Sequence, residues 1–470
     1  MAEGARLESV FRGNSNVGSN PTLSASSPSG VVVFEVPRCA RDFGARLRPT
    51  PSRQKRAWRG SRRRRALASS SNPTLSARFQ TSNSVSKPKR HRLSIVTTHL
   101  AVLLLPCLVL IFLTSTAVGS KKKEEPPLHP VGFSLRQFSA PEDYNWRGSD
   151  DHRLSGIVWY PAEDSAGEKD QYIGPPDAPL FYAGRAAKDA TLAPAFSRFP
   201  LIALSHGTGG SALQMAWLGT YLAARGYIVV AVNHPGNNAV TGYTTQGFIE
   251  GWERAKDIST AITDMLADPR FGNKIDPDRI GAAGFSYGGY TMMELAGATT
   301  DLNRILAWCD QQKGACNPPE MPDLMEKFRT MKQQPDVQQA VPHSGDSYRD
   351  PRIRAVFAIA PAVARAFTPE SLHKISIPVE IVAGAADQIA PPIENAQFFA
   401  ANIQGAELTI LPGGVGHYTF LDVGTESGKK QMPQFFADNP GVDREAVHRQ
   451  VAGMAAEFFE KQLTPVKKKR

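Results

Sequence analysis

Gly284-Phe285-Ser286-Tyr287-Gly288 sets a serine between two glycines, directly after an apolar β-run (Arg279–Gly284) and directly before a helix-forming stretch. A strand that turns straight into a helix leaves no room beside the turning residue. Glycines on either side meet that crowding, and the serine Oγ is pushed out above the sheet edge. A chain of this composition yields about 0.2 such pentapeptides by accident, so the strand–turn–helix context matters more than the match itself. A serine hydroxyl is a weak nucleophile until a base takes its proton, and the base needs an acid to orient it. Asp387 ends Ala383-Gly-Ala-Ala-Asp387, just past the apolar run Ile377–Ala383. His417 ends Gly413-Gly-Val-Gly-His417, just past Ala406–Leu411. Both fall on loops at strand C-termini, on the edge that carries Ser286. The predicted chemistry is acyl transfer through a serine ester.

Such a reaction builds negative charge on the attacked carbonyl oxygen, and two preorganised N–H donors must meet it; deleting one typically costs about 2.7–4 kcal/mol of catalysis. The N–H of Tyr287 follows the nucleophile and is the first expected donor. The second is expected in Leu204-Ser-His-Gly-Thr-Gly-Gly210, a glycine-rich turn after Phe199–Ser205, at Thr208, with Gly209 as the alternative. The same turn read as a phosphate cradle lacks both G-x-x-x-x-G-K-[ST] and G-x-G-x-x-G. Other histidines have plainer readings. His234 precedes Pro235 in a loop near the site, while His129, His152, His343, His373 and His448 are expected at the surface.

The elements needed to hold these residues alternate. Strand-like runs (Phe199–Ser205, Tyr227–Asn233, Arg279–Gly284, Ile353–Ile359, Ile377–Ala383, Ala406–Leu411), of which Tyr227–Asn233 is β-branched, are separated by helical patterns. Ile258, Ile262, Met265 and Leu266 make one helical face, as do Val447, Val451, Met454, Ala455 and Phe458 in the closing helix. Alternation of this kind predicts an α/β protein with a mostly parallel sheet and helices on both faces. Val131–Phe138 and Arg153–Tyr160 read as antiparallel leading strands. One interval breaks the rhythm. Residues 299–352 are polar, contain prolines and are too long for a plain loop, so a small inserted cap is expected there.

The chain has 470 residues and a formal net charge of +10, which would suit a nucleic-acid binder if the charge were spread evenly. It is not. Residues 1–123 hold 22 of the 54 Lys and Arg but only 4 of the 44 Asp and Glu, leaving 32 basic and 40 acidic residues in the remainder. The body is therefore mildly acidic, and no nucleic-acid partner is expected. Residues 1–93 are rich in Ser, Arg, Asn and Pro, and repeat Ser-Asn-Pro-Thr-Leu-Ser-Ala at Ser19–Ala25 and Ser71–Ala77. They read either as a disordered extension or as mistranslated sequence from tRNA genes. Residues 94–120 carry the apolar run Leu100–Leu113 behind a basic Lys87–Arg92 and ahead of small residues, the pattern of a signal peptide, or of a membrane anchor if uncleaved. Residues 121–470 then form the folded domain, exported to the periplasm or secreted. In an oxidising compartment Cys309 and Cys316, six residues apart in between, read as a local disulfide, the alternative being two separate buried thiols.

Leu204–Gly210, Gly226–Pro235 (GYIVVAVNHP) and Gly284–Gly289 (GFSYGG) resemble the predicted dienelactone hydrolases of the α/β-hydrolase superfamily and the related platelet-activating-factor acetylhydrolases, over roughly residues 130–462. The resemblance implies the α/β-hydrolase fold, a triad of Ser286, Asp387 and His417, oxyanion donors at Thr208 and Tyr287, and a cap with a cysteine pair. The chain departs from that pattern twice. Dienelactone hydrolases proper use a cysteine nucleophile, and in the acetylhydrolases the acid follows an earlier strand, where no carboxylate occurs here before Glu370. Ser286–Tyr290 is also similar to prolyl oligopeptidases, but the 80-odd residues ahead of Phe199 leave no room for their propeller. The expected activity is a serine carboxylesterase acting on a small-molecule or lipid-like ester. A serine peptidase and a non-catalytic binding protein are the alternatives. No metal cluster or cofactor fingerprint accompanies these motifs, so the chemistry is expected to need neither.

Overall fold

The computed structural model describes residues 32–34, 128–194, 198–312 and 316–464; the expected signal segment and nearly all of residues 1–93 lie outside them. Within residues 128–464 one sheet organises everything. Its ten longest strands are β1 (Val131–Phe138), β2 (Leu154–Pro161), β3 (Lys169–Ile173), β4 (Phe181–Lys188), β5 (Phe199–Ser205), β6 (Ile228–Val232), β7 (Ile275–Phe285), β8 (Ile353–Ile359), β9 (Val379–Gly384) and β10 (Glu407–Leu411). Their spatial order is β3-β4-β1-β2-β6-β5-β7-β8-β9-β10. From β6 to β10 every pairing is parallel, while β2 runs antiparallel to both β1 and β6.

The parallel strands read as near-continuous apolar runs because both of their faces are covered. Alternation assigns each residue to a side. Ile202, Leu204, Val229, Ala231 and Phe357 pack in one core with α1 (Ala216–Ala223) and the closing helix α8 (Arg444–Gln462). Leu201, Ala203, Ile228, Val230 and Val356 pack in the other, with α2 (Glu253–Ala267), α3 (Tyr287–Ala296) and α7 (Ala396–Asn402). The expected mostly parallel sheet with helices on both faces is thus the observed one.

Between α3 and β8, the described residues of 299–352 carry three α-helices, α4 (Leu302–Gln311), α5 (Leu324–Met331) and α6 (Pro335–Ala340). Cys309, Met325, Phe328 and Val337 form a small apolar cluster of their own here. Cys309 and Cys316 are bonded, with Cα atoms 5.5 Å apart.

Three features depart from the sequence reading. Strands β3 (KDQYI) and β4 (FYAGRAAK) were not expected, since neither carries an apolar run or clean alternation; β3 pairs with β4 and β4 with β1, so pairing rather than propensity holds them. Val32–Phe34, in a stretch given no structure from sequence, forms a short strand parallel to β3. His448, expected at the surface, is buried: its ring stacks on Trp217 at 4.4 Å between centroids and its Nε2 bonds Thr419 O. A polar residue about one turn into a helix looks solvent-facing until the partner that covers it is known.

Candidate functional site

Strand β7 ends at Phe285 and α3 begins at Tyr287, so the whole turn is one residue. Ser286 sits at φ 56°, a left-handed conformation that side chains other than glycine rarely adopt. The glycines around it are required by contact. A Cβ at Gly284 would lie 2.3 Å from Gly288 O, and one at Gly288 would lie 2.0 Å from Ser205 O. The Ser286 N–H donates to Ile359 O at 2.9 Å, tying the turn to the tip of β8.

Asp387 follows β9 and His417 follows β10, and the two loops converge on the turn. His417 Nε2 lies 2.9 Å from Ser286 Oγ, and His417 Nδ1 lies 2.7 Å from Asp387 Oδ2. The second carboxylate oxygen, Asp387 Oδ1, accepts the backbone N–H groups of Ile389 and Ala390 at 2.9 and 2.8 Å, which fixes the carboxylate's rotation. With Nδ1–H donated to the aspartate, Nε2 is left as the acceptor for the serine proton, the arrangement general-base activation needs. All three residues are buried, Ser286 at 6% exposure and His417 at 5%.

The glycine-rich turn after β5 lies beside them. Its amides are mostly committed: Gly207 N–H donates to Gln214 Oε1, Gly209 N–H to Asn237 Oδ1 and Gly210 N–H to Gly207 O. The Thr208 N–H has no hydrogen-bond partner among the described residues, whereas the Gly209 N–H is taken. Thr208, Ser286, Tyr287 and His417 all line one cavity of about 710 Å³, whose walls also include Leu180, Phe181, Ile305, Trp308, Met325 and Phe435. The cap residues and the disulfide form part of that wall.

Behind the turn lies a polar cluster that the sequence reading did not assemble. His234 Nε2 lies 2.9 Å from Ser205 Oγ, and His234 Nδ1 lies 2.7 Å from Asp257 Oδ2. These are the same two distances as in the first set. Arg147 pairs with Asp257 at 2.8 Å, and Tyr144 also donates to it. Arg254 donates to Asn237 Oδ1, Ser205 Oγ and His206 O. Burial, followed by the neighbouring cations, pushes His234 well below its ordinary pKa, and burial with His234 alongside does the same to His206. Ser205 and His234 are fully buried and do not line the cavity, so this set has no route to a substrate. The sequence signal was present in Arg254-x-x-Asp257 on α2 facing His206 and His234, but nothing local shows that α2 packs there.

The alpha/beta hydrolase family model matches residues 201–427, which span β5 through the loop carrying His417. The chain is 30% identical over 93 residues to Lipase 1 of Moraxella sp. (strain TA144), a match covering 20% of this chain and 26% of the lipase. It is 31% identical over 107 residues to Cutinase est1 of Thermobifida alba, covering 22% of this chain and 33% of the cutinase. The chain thus spans about a quarter to a third of the curated relatives it matches. A solved structure of a ferulic acid esterase from Streptomyces cinnamoneus superposes with a TM-score of 0.47 at 20% identity, covering 72% of this chain and 92% of that one. The sheet order and the one-residue turn at Ser286 are those of the alpha/beta-hydrolase fold, and the family match over residues 201–427 agrees with it.

Proposed function

We propose that this chain is an exported serine hydrolase that cleaves carboxylic esters through an acyl-enzyme. The observation that carries this reading is the hydrogen-bonded series Asp387–His417–Ser286, opening onto an apolar cavity. In the first half-reaction Ser286 Oγ bonds to the ester carbonyl carbon while its proton passes to His417 Nε2. The carbonyl oxygen, now negative, takes hydrogen bonds from the Thr208 and Tyr287 N–H groups. The C–O bond to the alcohol then breaks as His417 returns the proton to the leaving oxygen. Water repeats the sequence on the acyl-serine, releasing the acid and restoring Ser286. Asp387 holds the imidazole in the required tautomer throughout.

The largely apolar walls suit a small-molecule or lipid-like ester, and the names of the lipase and cutinase relatives support ester chemistry. The finer likeness to dienelactone hydrolases and platelet-activating-factor acetylhydrolases rests on the three motifs quoted above. Export rests on the pattern of residues 94–120 and is supported by the bonded cysteine pair. A panel of p-nitrophenyl esters of rising acyl length tests the activity. Ser286→Ala is expected to lower kcat by at least about a thousandfold with the fold intact, because Oγ contributes to no core contact. Wild-type turnover indistinguishable from that of the variant would refute the reading.

A further inference from the structure

We propose that Glu320 selects esters whose alcohol part carries a free hydroxyl, the partial esters of polyols; this rests on the ester-hydrolase reading above. The cap segment between α4 and α5 lowers Glu320 into the cavity, and among the described residues it is the one titratable carboxyl that residues 299–352 contribute to the cavity wall. A Cβ at Gly209 would lie 2.7 Å from Glu320 Cγ, so the side chain rests on the turn that holds Thr208. Tyr418 lines the same cavity, and its phenol is pushed up first by burial and next by the charge of Glu320. Tyr418 directly follows His417. The carboxyl therefore borders the oxyanion turn, in the same cavity that His417 and Tyr418 line.

The proposal assigns Glu320 to the alcohol part of the substrate. The leaving oxygen must come within reach of His417 Nε2 to take its proton, so the alcohol group lies on the His417 side. Among the described residues no hydrogen bond or ion pair from another side chain engages the Glu320 carboxyl. Burial raises its pKa to about 7, so the neutral acid is substantially populated. A neutral carboxyl donates one hydrogen bond and accepts others, and an alcohol hydroxyl does the same, so the two are complementary. An alkyl group in that place would offer the carboxyl no partner beyond the hydrogen bond from its own backbone N–H. Sites built around a buried polar group discriminate by that penalty.

The test is kcat/KM for 2-hydroxyethyl butanoate against propyl butanoate, followed by acid release at pH 6 with the full chain. The two alcohols are matched in size, and the ratio is referenced to the alkaline hydrolysis rates of the same esters to remove intrinsic reactivity. The wild-type protein is expected to favour the hydroxylated ester by roughly tenfold beyond that reference. Glu320→Leu should bring the ratio back to the reference. Glu320→Gln, which keeps a donor and an acceptor, should retain most of the preference. A wild-type ratio equal to the reference overturns the proposal whether or not either variant folds, as does a Leu variant that keeps the preference. If the wild-type protein hydrolyses neither ester, the ester-hydrolase reading falls, and this proposal with it.

Discussion

Ser286, His417 and Asp387 share their two distances with Ser205, His234 and Asp257, yet only the first set borders a cavity. Hydrogen-bond geometry therefore cannot by itself distinguish a reaction centre from a structural network; access must be added. The two sets should respond oppositely to substitution. Ser205→Ala removes the proton donated to a buried imidazole and is expected to cost about 1–3 kcal/mol of stability in a denaturant titration, with turnover largely kept. Asp257→Asn leaves the buried Arg147 guanidinium without its counter-charge, and about 3–5 kcal/mol should be lost in the same measurement. His448 gives a pH-dependent case. Burial holds its pKa at about 4, below the ordinary 6.5. Between those values the unfolded chain binds the proton and the folded one does not, so this residue makes stability fall as pH drops from about 6.5 to about 4. Unfolding free energies of His448→Gln should fall less steeply over that window than those of the wild-type protein.

Among the elements, those whose residues carry their own signal were legible. Phe199–Ser205 and Ile353–Ile359 coincide with the expected runs because apolar residues fill most of their positions, and Val131–Phe138 coincides with the expected leading strand. Strands β3 and β4 were not legible, since KDQYI and FYAGRAAK form strands only through the neighbours they meet. The same division applies to the site. The turn at Ser286 announces itself by its glycines, whereas the network around His234 exists only once α2 packs behind β5. Two expectations follow for the elements. Gly288→Ala must displace the backbone at Ser205 and is expected to prevent normal folding, seen as loss of the cooperative thermal transition. Removing the Cys309–Cys316 bond should release only about 2–3 kcal/mol by the chain-entropy model, because the closed loop is short. That is small for the sheet but large for the cap, so reduction should alter the order of preference among acyl lengths before it moves the melting temperature.

For the whole molecule, the split of charge and the distribution of motifs agree: everything the proposed chemistry uses lies between Ser205 and His417, in the acidic body and not in the basic head. A chain beginning at Lys121 is therefore expected to hydrolyse p-nitrophenyl butanoate at the full-length rate, and a drop of more than about tenfold would assign the head a role in the site. The central claim is that Ser286 becomes covalently acylated. It is tested most directly by treating the full chain with a fluorophosphonate and locating the adduct by peptide mass spectrometry. The account predicts one stoichiometric adduct on Ser286, lost in His417→Ala, with Ser205 unmodified. An adduct on Ser205 or any other residue, or ester hydrolysis that survives complete labelling of Ser286, would contradict it.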